Sequence, residues 1–141
     1  MALVVNLARR SDRIVALKKL QLPFEWERLD ACDGRNLAWN SLSDRIHADA
    51  IREAVWAEKQ EVPTICRRTG SFSPHLTLAA AGCALSHRKA WETLLADPKA
   101  EHALIMEDDL SASECDTEAI SVYLPKAEDD LSRRRNIHVP P

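Results

Sequence analysis

Glu107, Asp108 and Asp109 stand in a row directly after the apolar run Ala103-Leu104-Ile105-Met106. Acids at the end of a buried strand can hold a hard divalent cation together with a phosphate bound to it. A second copy tests how much the letters mean alone. Glu128-Asp129-Asp130-Leu131-Ser132 repeats Glu107-Asp108-Asp109-Leu110-Ser111 residue for residue, yet it follows Pro125-Lys126-Ala127 and runs into Arg133-Arg134-Arg135. With no strand behind it, that copy reads as a solvated charge run. Cations suited to a phosphate lie near the start of the chain, where Arg9, Arg10 and Arg13 follow the run Leu3-Val4-Val5-Asn6-Leu7. Cations at a helix start oppose its dipole, which makes a phosphate partner attractive there; plain surface charge is the alternative.

The elements that must position these groups can be read in order. Residues 2–7 are apolar and β-branched and predict a buried strand. Ser11 then reads as the N-cap of a helix through Asp12, Arg13, Ile14, Leu17 and Leu20, with Pro23 just beyond its end. The alternation Phe24-Glu25-Trp26-Glu27 continues to Cys32 and the turn signal Asp33-Gly34, predicting a second strand. Helix formers dominate 43–59, and 63–74 reads as loop. A further helix runs from Thr77 or Leu78 to Ala96 and is closed by Asp97-Pro98. On it Ala80, Ala84, His87, Trp91, Leu94 and Leu95 are expected to share the buried face, with Ser86, Lys89 and Thr93 opposite and Arg88 on a flank. The strand 103–106 follows, then the acids, then a weak helix around 117–124.

Composition narrows the classes. The 141 residues suffice for one core, and four Trp, two Phe and one Tyr can anchor it, Trp26, Trp56 and Trp91 most simply as core. Nineteen basic and 22 acidic residues are mixed along the chain for a formal charge of −3, so there is no electrostatic footprint for nucleic acid. Cys32, Cys66, Cys83 and Cys115 show no Cys-x-x-Cys spacing and read as free thiols, with Cys32 and Cys83 as small buried hydrophobes and a zinc site disfavoured. No signal peptide or membrane-spanning run is apparent, which points to a cytoplasmic protein, or to the endoplasmic reticulum lumen if a leader is missing.

Strands separated by helices imply a mostly parallel α/β sheet with helices on both faces, in which ligands bind beyond the carboxyl ends of the strands. Asn6, Arg9 and Arg10 fall there after the first strand, Asp33 and Gly34 after the second, and the acids after the last. Such a mixture of cations and carboxylates suits a diphosphate with Mg²⁺ or Mn²⁺, arginine adding bidentate phosphate contacts.

Four segments also carry a resemblance: Asn6-Leu7-Ala8-Arg9-Arg10-Ser11-Asp12-Arg13, Asp33-Gly34-Arg35, Gly82-Cys83-Ala84-Leu85-Ser86-His87-Arg88-Lys89-Ala90-Trp91-Glu92, and Ala103 to Asp109. In this order the chain resembles glycosyltransferase family 25, which includes lipooligosaccharide β-galactosyltransferases and collagen hydroxylysine galactosyltransferases. The resemblance implies a Rossmann-like GT-A fold and an inverting, metal-dependent transferase that takes a hexose, galactose by analogy, from a UDP-sugar to a saccharide or collagen-like acceptor. It implies Glu107 and Asp109 as contacts to Mn²⁺ or Mg²⁺ and the diphosphate, and Asn6, Arg9, Arg10, Arg13, Asp33, Gly34 and Asp108 as nucleotide-sugar contacts. Ser86, His87 and Arg88 belong to the family pattern and would position sugar or acceptor, and no catalytic base is assigned. The chain departs from that pattern at Ala79-Ala80-Ala81, where the family has a Gly-Glu pair. The family's domain also continues past the acids, so 1–125 reads as a partial GT-A domain and 126–141 as a charged tail.

Each of these residues has a plainer reading. The acids could cap the next helix in solvent, and His87 could be a core histidine beneath Trp91. The rival functions are a non-catalytic nucleotide-sugar-binding remnant or scaffold, and a metal-dependent phosphohydrolase-like protein using the same acids.

Overall fold

The computed structural model describes residues 1–65, 71, 75–110, 120 and 125–127. Strand β1 (Ala2–Asn6) leads into helix α1 (Ser11–Lys18), strand β2 (Glu27–Asp30) and two 3-10 turns, Gly34–Asn36 and Trp39–Ser41. Helix α2 (Ala48–Lys59), helix α3 (Leu78–Ala96) and strand β3 (Leu104–Glu107) complete the described elements. The sheet is parallel throughout, in the order β2-β1-β3.

β1 is the central strand because its sequence can be buried on both faces. Leu3, Val4, Val5 and Asn6 are all at most 8% exposed. Each apolar side chain so buried is worth roughly 1.5–3 kcal/mol relative to exposure. β2 is an edge strand of exposed or half-buried residues, in register from Leu3 opposite Glu27 to Asn6 opposite Asp30. On the other side Val5 pairs with Glu107, so the first of the three acids is a strand residue. The chain crosses from β1 to β2 and then back past β1 to β3. By the right-handed rule, crossovers in opposite directions put α1 on one face and α3 on the other, with the reversal of direction between β1 and β3. α2 packs through Ile51 on the apolar cluster that α3 forms.

The expected elements are largely present with shifted edges. The second strand begins only at Glu27, since Phe24 to Trp26 lead in without pairing. The 43–59 helix starts at Ala48, where His47 Nδ1 accepts from the Asp49 N–H at 3.3 Å. Arg10 rather than Ser11 is the N-cap of α1, leaving Ser11 as its first helical residue. α3 has the expected ends, its start fixed by Thr77 Oγ1 accepting from the Ala80 N–H at 3.1 Å. Most of the loop 63–74, all but residue 120 of the weak helix around 117–124, Cys66, Cys115 and the second acidic copy lie outside the described residues. No helix among the described residues is long and apolar enough to cross a membrane.

One expectation about α3 is overturned. Its buried residues are Ala81, Gly82, Leu85, Ser86 and Ala90, whereas Trp91 is 57% and Leu95 85% exposed and Ala80 and Ala84 face solvent. Trp56 is exposed as well. The small-residue face is inside because α3 packs against backbone. A Cβ on Gly82 would lie 2.6 Å from the Cys32 carbonyl oxygen and 2.9 Å from the Gly34 nitrogen, and a Cβ on Gly34 would run into the Leu78 carbonyl. Ser86 Oγ accepts from the Cys32 N–H at 2.8 Å and donates to the Gly82 carbonyl at 2.7 Å, while Lys89 Nζ donates to the Asp30 carbonyl at 2.9 Å. Two glycines, one serine and one lysine thus strap α3 to the end of β2. Leu42, Ala81 and Leu85 form the adjoining apolar cluster, with Leu37, Ile46 and Leu78 packed on it.

Gly82→Ala is expected to destabilise the fold by about 1–3 kcal/mol, the usual cost of overpacking a close contact. Urea unfolding should show the midpoint falling with an unchanged slope; an unaltered midpoint would mean that the α3–turn contact has room to spare.

Candidate functional site at the carboxyl edge of the sheet

The ends of β1, β2 and β3 surround one crevice, roofed by the first turns of α3 and bordered by α1. Arg9, Arg13, Asp33, Gly34, Ser86, Glu107 and Asp108 all line it. Of the residues singled out from the sequence, these seven are brought together. Asn6 lies just beneath the floor, 1% exposed. Arg10, His87, Arg88 and Asp109 are not among the lining residues.

Under the floor runs a buried polar network. Asn6 Nδ2 donates to Asp108 Oδ2 at 2.5 Å and to the Arg10 carbonyl at 3.0 Å, and Asn6 Oδ1 accepts from Arg28 Nε at 2.7 Å. Asp108, 8% exposed, also accepts from Arg13 Nη1 at 2.7 Å. Burying a carboxylate is costly unless it is paired and hydrogen-bonded, and both of its oxygens are so engaged. Asn6 thereby ties the end of β1 to the end of β3, and Arg13 ties α1 to the same acid.

The rim is held differently. Arg9 Nε donates to Asp33 Oδ2 at 2.7 Å across the crevice, while the Arg35 N–H donates to Asp33 Oδ1 at 3.0 Å and closes the Gly34–Asn36 turn. That backbone bond first, and the Arg9 guanidinium second, hold the Asp33 carboxyl below its ordinary value of 3.8. Arg10 is turned to Asp12 of its own helix by a bidentate pair, which lowers the Asp12 carboxyl. Arg88 pairs along α3 with Glu92 at 2.8 Å. Ser86 is spent on Cys32 and Gly82.

The third group was missed from the sequence. His87 Nε2 lies 3.1 Å from Glu107 Oε1, and Cys83 Sγ lies 3.8 Å from the same oxygen. Cys83 and His87 are four apart on α3, one turn, so they project from one side of the helix toward the end of β3. His87 is therefore half-buried beside an acid rather than beneath Trp91, and Cys83 is exposed rather than a core hydrophobe. Burial first, and the neighbouring Glu107 second, push the Cys83 thiol above its usual range. The expectation against zinc-type ligation rests on the lack of Cys-x-x-Cys and of a His at ligand spacing, yet Cys83 and His87 stand as Cys-x-x-x-His on one helix turn. Cys32, like Cys83, is a free thiol.

The three acids differ in exposure and in what they are paired with. Asp108 is committed to Asn6 and Arg13, but Glu107 keeps about half of its side chain in solvent and Asp109 is exposed. Cys83, His87 and Glu107 by themselves form a group able to hold a metal, with one sulfur, one nitrogen and one oxygen ligand atom within 4.8 Å of one another.

A family model described as glycosyltransferase family 25 (LPS biosynthesis protein) matches residues 1–135 of the 141. No curated protein and no solved structure gives a significant match.

A group with a depressed folded-state pKa adds stability above its unfolded pKa and loses it as pH falls through the folded value. The Asp33 contribution is therefore intact at neutral pH and declines only below about 3.8. Carboxyl NMR titration should place the Asp33 midpoint below that value, with Arg9→Met raising it only in part because the Arg35 N–H remains. A midpoint at or above 3.8 would contradict the rim geometry.

Proposed function

We propose that this chain, which belongs to glycosyltransferase family 25, holds a UDP-sugar in the crevice at the carboxyl edge of its sheet. The hexose, galactose by resemblance, would pass with inversion to a hydroxyl of a saccharide or collagen-like acceptor. The observation that supports this is the convergence of Arg9 and Arg13 with Glu107 and Asp108 on one crevice at the β1/β3 reversal. That is the position where open α/β sheets take nucleotides.

In this reading the Arg9 guanidinium leaves Asp33 to meet the diphosphate, and Arg13 stays on Asp108 and adds positive potential. Glu107 and Asp109 hold Mn²⁺ or Mg²⁺, and Asn6 and Asp108 keep the strand ends that present them in place. The Asp33-Gly34 turn forms the nucleotide side of the crevice. Bound there, the cation would neutralise charge developing on the leaving diphosphate. An acceptor oxygen attacks the anomeric carbon opposite the bond to phosphate, that bond breaks, its electron pair leaves with UDP, and the acceptor proton passes to a base. Of the three α3 residues implied in sugar or acceptor positioning, His87 is the one hydrogen-bonded to an acid of the triplet.

Calorimetry of UDP with Mn²⁺ tests the reading. Binding is expected to require the metal and to weaken at least about tenfold in Asp109→Ala, the scale of losing a charge-assisted ligand worth roughly 1.5–3 kcal/mol. Absence of UDP binding at any metal concentration would sink it. Transfer from UDP-galactose, or its hydrolysis, then separates an enzyme from a non-catalytic nucleotide-sugar-binding remnant, which would bind UDP without turnover.

A further inference from the structure

We propose that Cys83, His87 and Glu107 bind a thiophilic divalent cation of the zinc class, with one side of the ion open to the crevice. Its ligands are protein side chains alone, so it can be tested without nucleotide, and it shares Glu107 with the hard-cation pair.

Three observations converge. The ligand types are those of zinc: one thiol, one imidazole and one carboxylate from two elements, a combination that Mg²⁺ and Ca²⁺ do not select because they avoid sulfur. The spacing is that of a ligand pair on one helix turn, completed by a residue distant in sequence. The distances are near those a bound ion needs. Metal–ligand lengths of about 2.0 Å to oxygen and nitrogen and 2.3 Å to sulfur in a tetrahedron put ligand atoms roughly 3.3–3.6 Å apart. His87 Nε2 and Cys83 Sγ lie 3.1 and 3.8 Å from Glu107 Oε1, and all three ligand atoms lie within 4.8 Å of one another.

Three protein ligands leave a fourth position, the arrangement of zinc sites that take an exchangeable ligand. Cys83 and Glu107 both line the crevice, so that position faces it. On binding, the Cys83 S–H bond breaks, a sulfur–metal bond forms and the proton goes to solvent. Because Glu107 cannot serve both donor sets fully, a zinc-class ion here weakens the hard-cation pair.

The test uses the full chain without nucleotide. Co²⁺ should give the near-ultraviolet absorption of a sulfur-to-cobalt charge transfer, and Zn²⁺ should abolish it at one equivalent while excess Mg²⁺ does not. Competition with a chromophoric chelator should show Zn²⁺ affinity falling about tenfold or more in Cys83→Ser and in His87→Ala, at least the loss typical of supporting-residue changes. Cys32→Ser should leave it unchanged. In the unsubstituted chain Zn²⁺ should slow iodoacetamide labelling of Cys83, read by peptide mapping, relative to the other cysteines. This last readout holds whether or not a variant folds. A cobalt spectrum without the sulfur band, or Zn²⁺ that leaves Cys83 labelling unaltered, would overturn the proposal. UDP binding with Mn²⁺ is a separate measurement, so failure of either reading leaves the other standing on its own result.

Discussion

The hydrogen bond from Asn6 to Asp108 ties together the ends of the two strands between which the chain reverses direction. β1 is fixed by its apolar residues, but nothing apolar fixes where β3 stops. Its own side chains are only partly buried. A buried carboxylate without a partner would cost several kcal/mol, so Asp108 enters the interior only where Asn6 and Arg13 can meet it. Once Asp108 is inside, its neighbours in sequence are left outside. The acids thus divide into one buried residue held by Asn6 and Arg13 and two exposed ones, of which Glu107 meets His87 and Cys83.

The same economy governs α3. Gly34 and Gly82 let a helix and a turn approach at backbone distance, and Ser86 and Lys89 fasten the contact with hydrogen bonds to the end of β2. Such an approach cannot tolerate large side chains, which is why the buried face is written in Ala, Gly and Ser. The rotation of the helix that follows from it brings Cys83 and His87 over Glu107. Packing of two glycines therefore decides what chemistry surrounds the acid.

Much of this was legible in the sequence, and the failures share one cause. The strand β1, the ends of α3 and the parallel α/β order follow from apolar periodicity and caps, and that order leads Arg9, Arg13, Asp33, Glu107 and Asp108 to one crevice, whereas Arg10 and Asp109 do not line it. The face of α3 was assigned to the larger apolar residues because periodicity scores hydrophobicity, whereas close backbone packing selects small size. That assignment leaves His87 open between a core place beneath Trp91 and a substrate-side one, and it conceals the Cys83 ligand geometry; in the structure His87 Nε2 lies 3.1 Å from Glu107 Oε1. The role of Asp108 was not separable from those of its neighbours, because the three acids differ only in what Asn6 and Arg13 do to the middle one.

Charge in the crevice sets a condition on any anionic ligand. Arg9 is already bridged to Asp33 and Arg13 to Asp108, so the lining presents little net positive potential. The two pairs are not equivalent. Arg9 is 41% exposed and its bond to Asp33 lies at the rim, where ion pairs contribute little and exchange partners readily. Arg13 serves an acid that is buried, and removing it would strand that charge. Of these two, Arg9 is the one that can be released at small cost. A diphosphate in the crevice would therefore draw first on Arg9, and on Arg35, which also lines it; in the proposed reading a cation at Glu107 would supply the remaining positive charge.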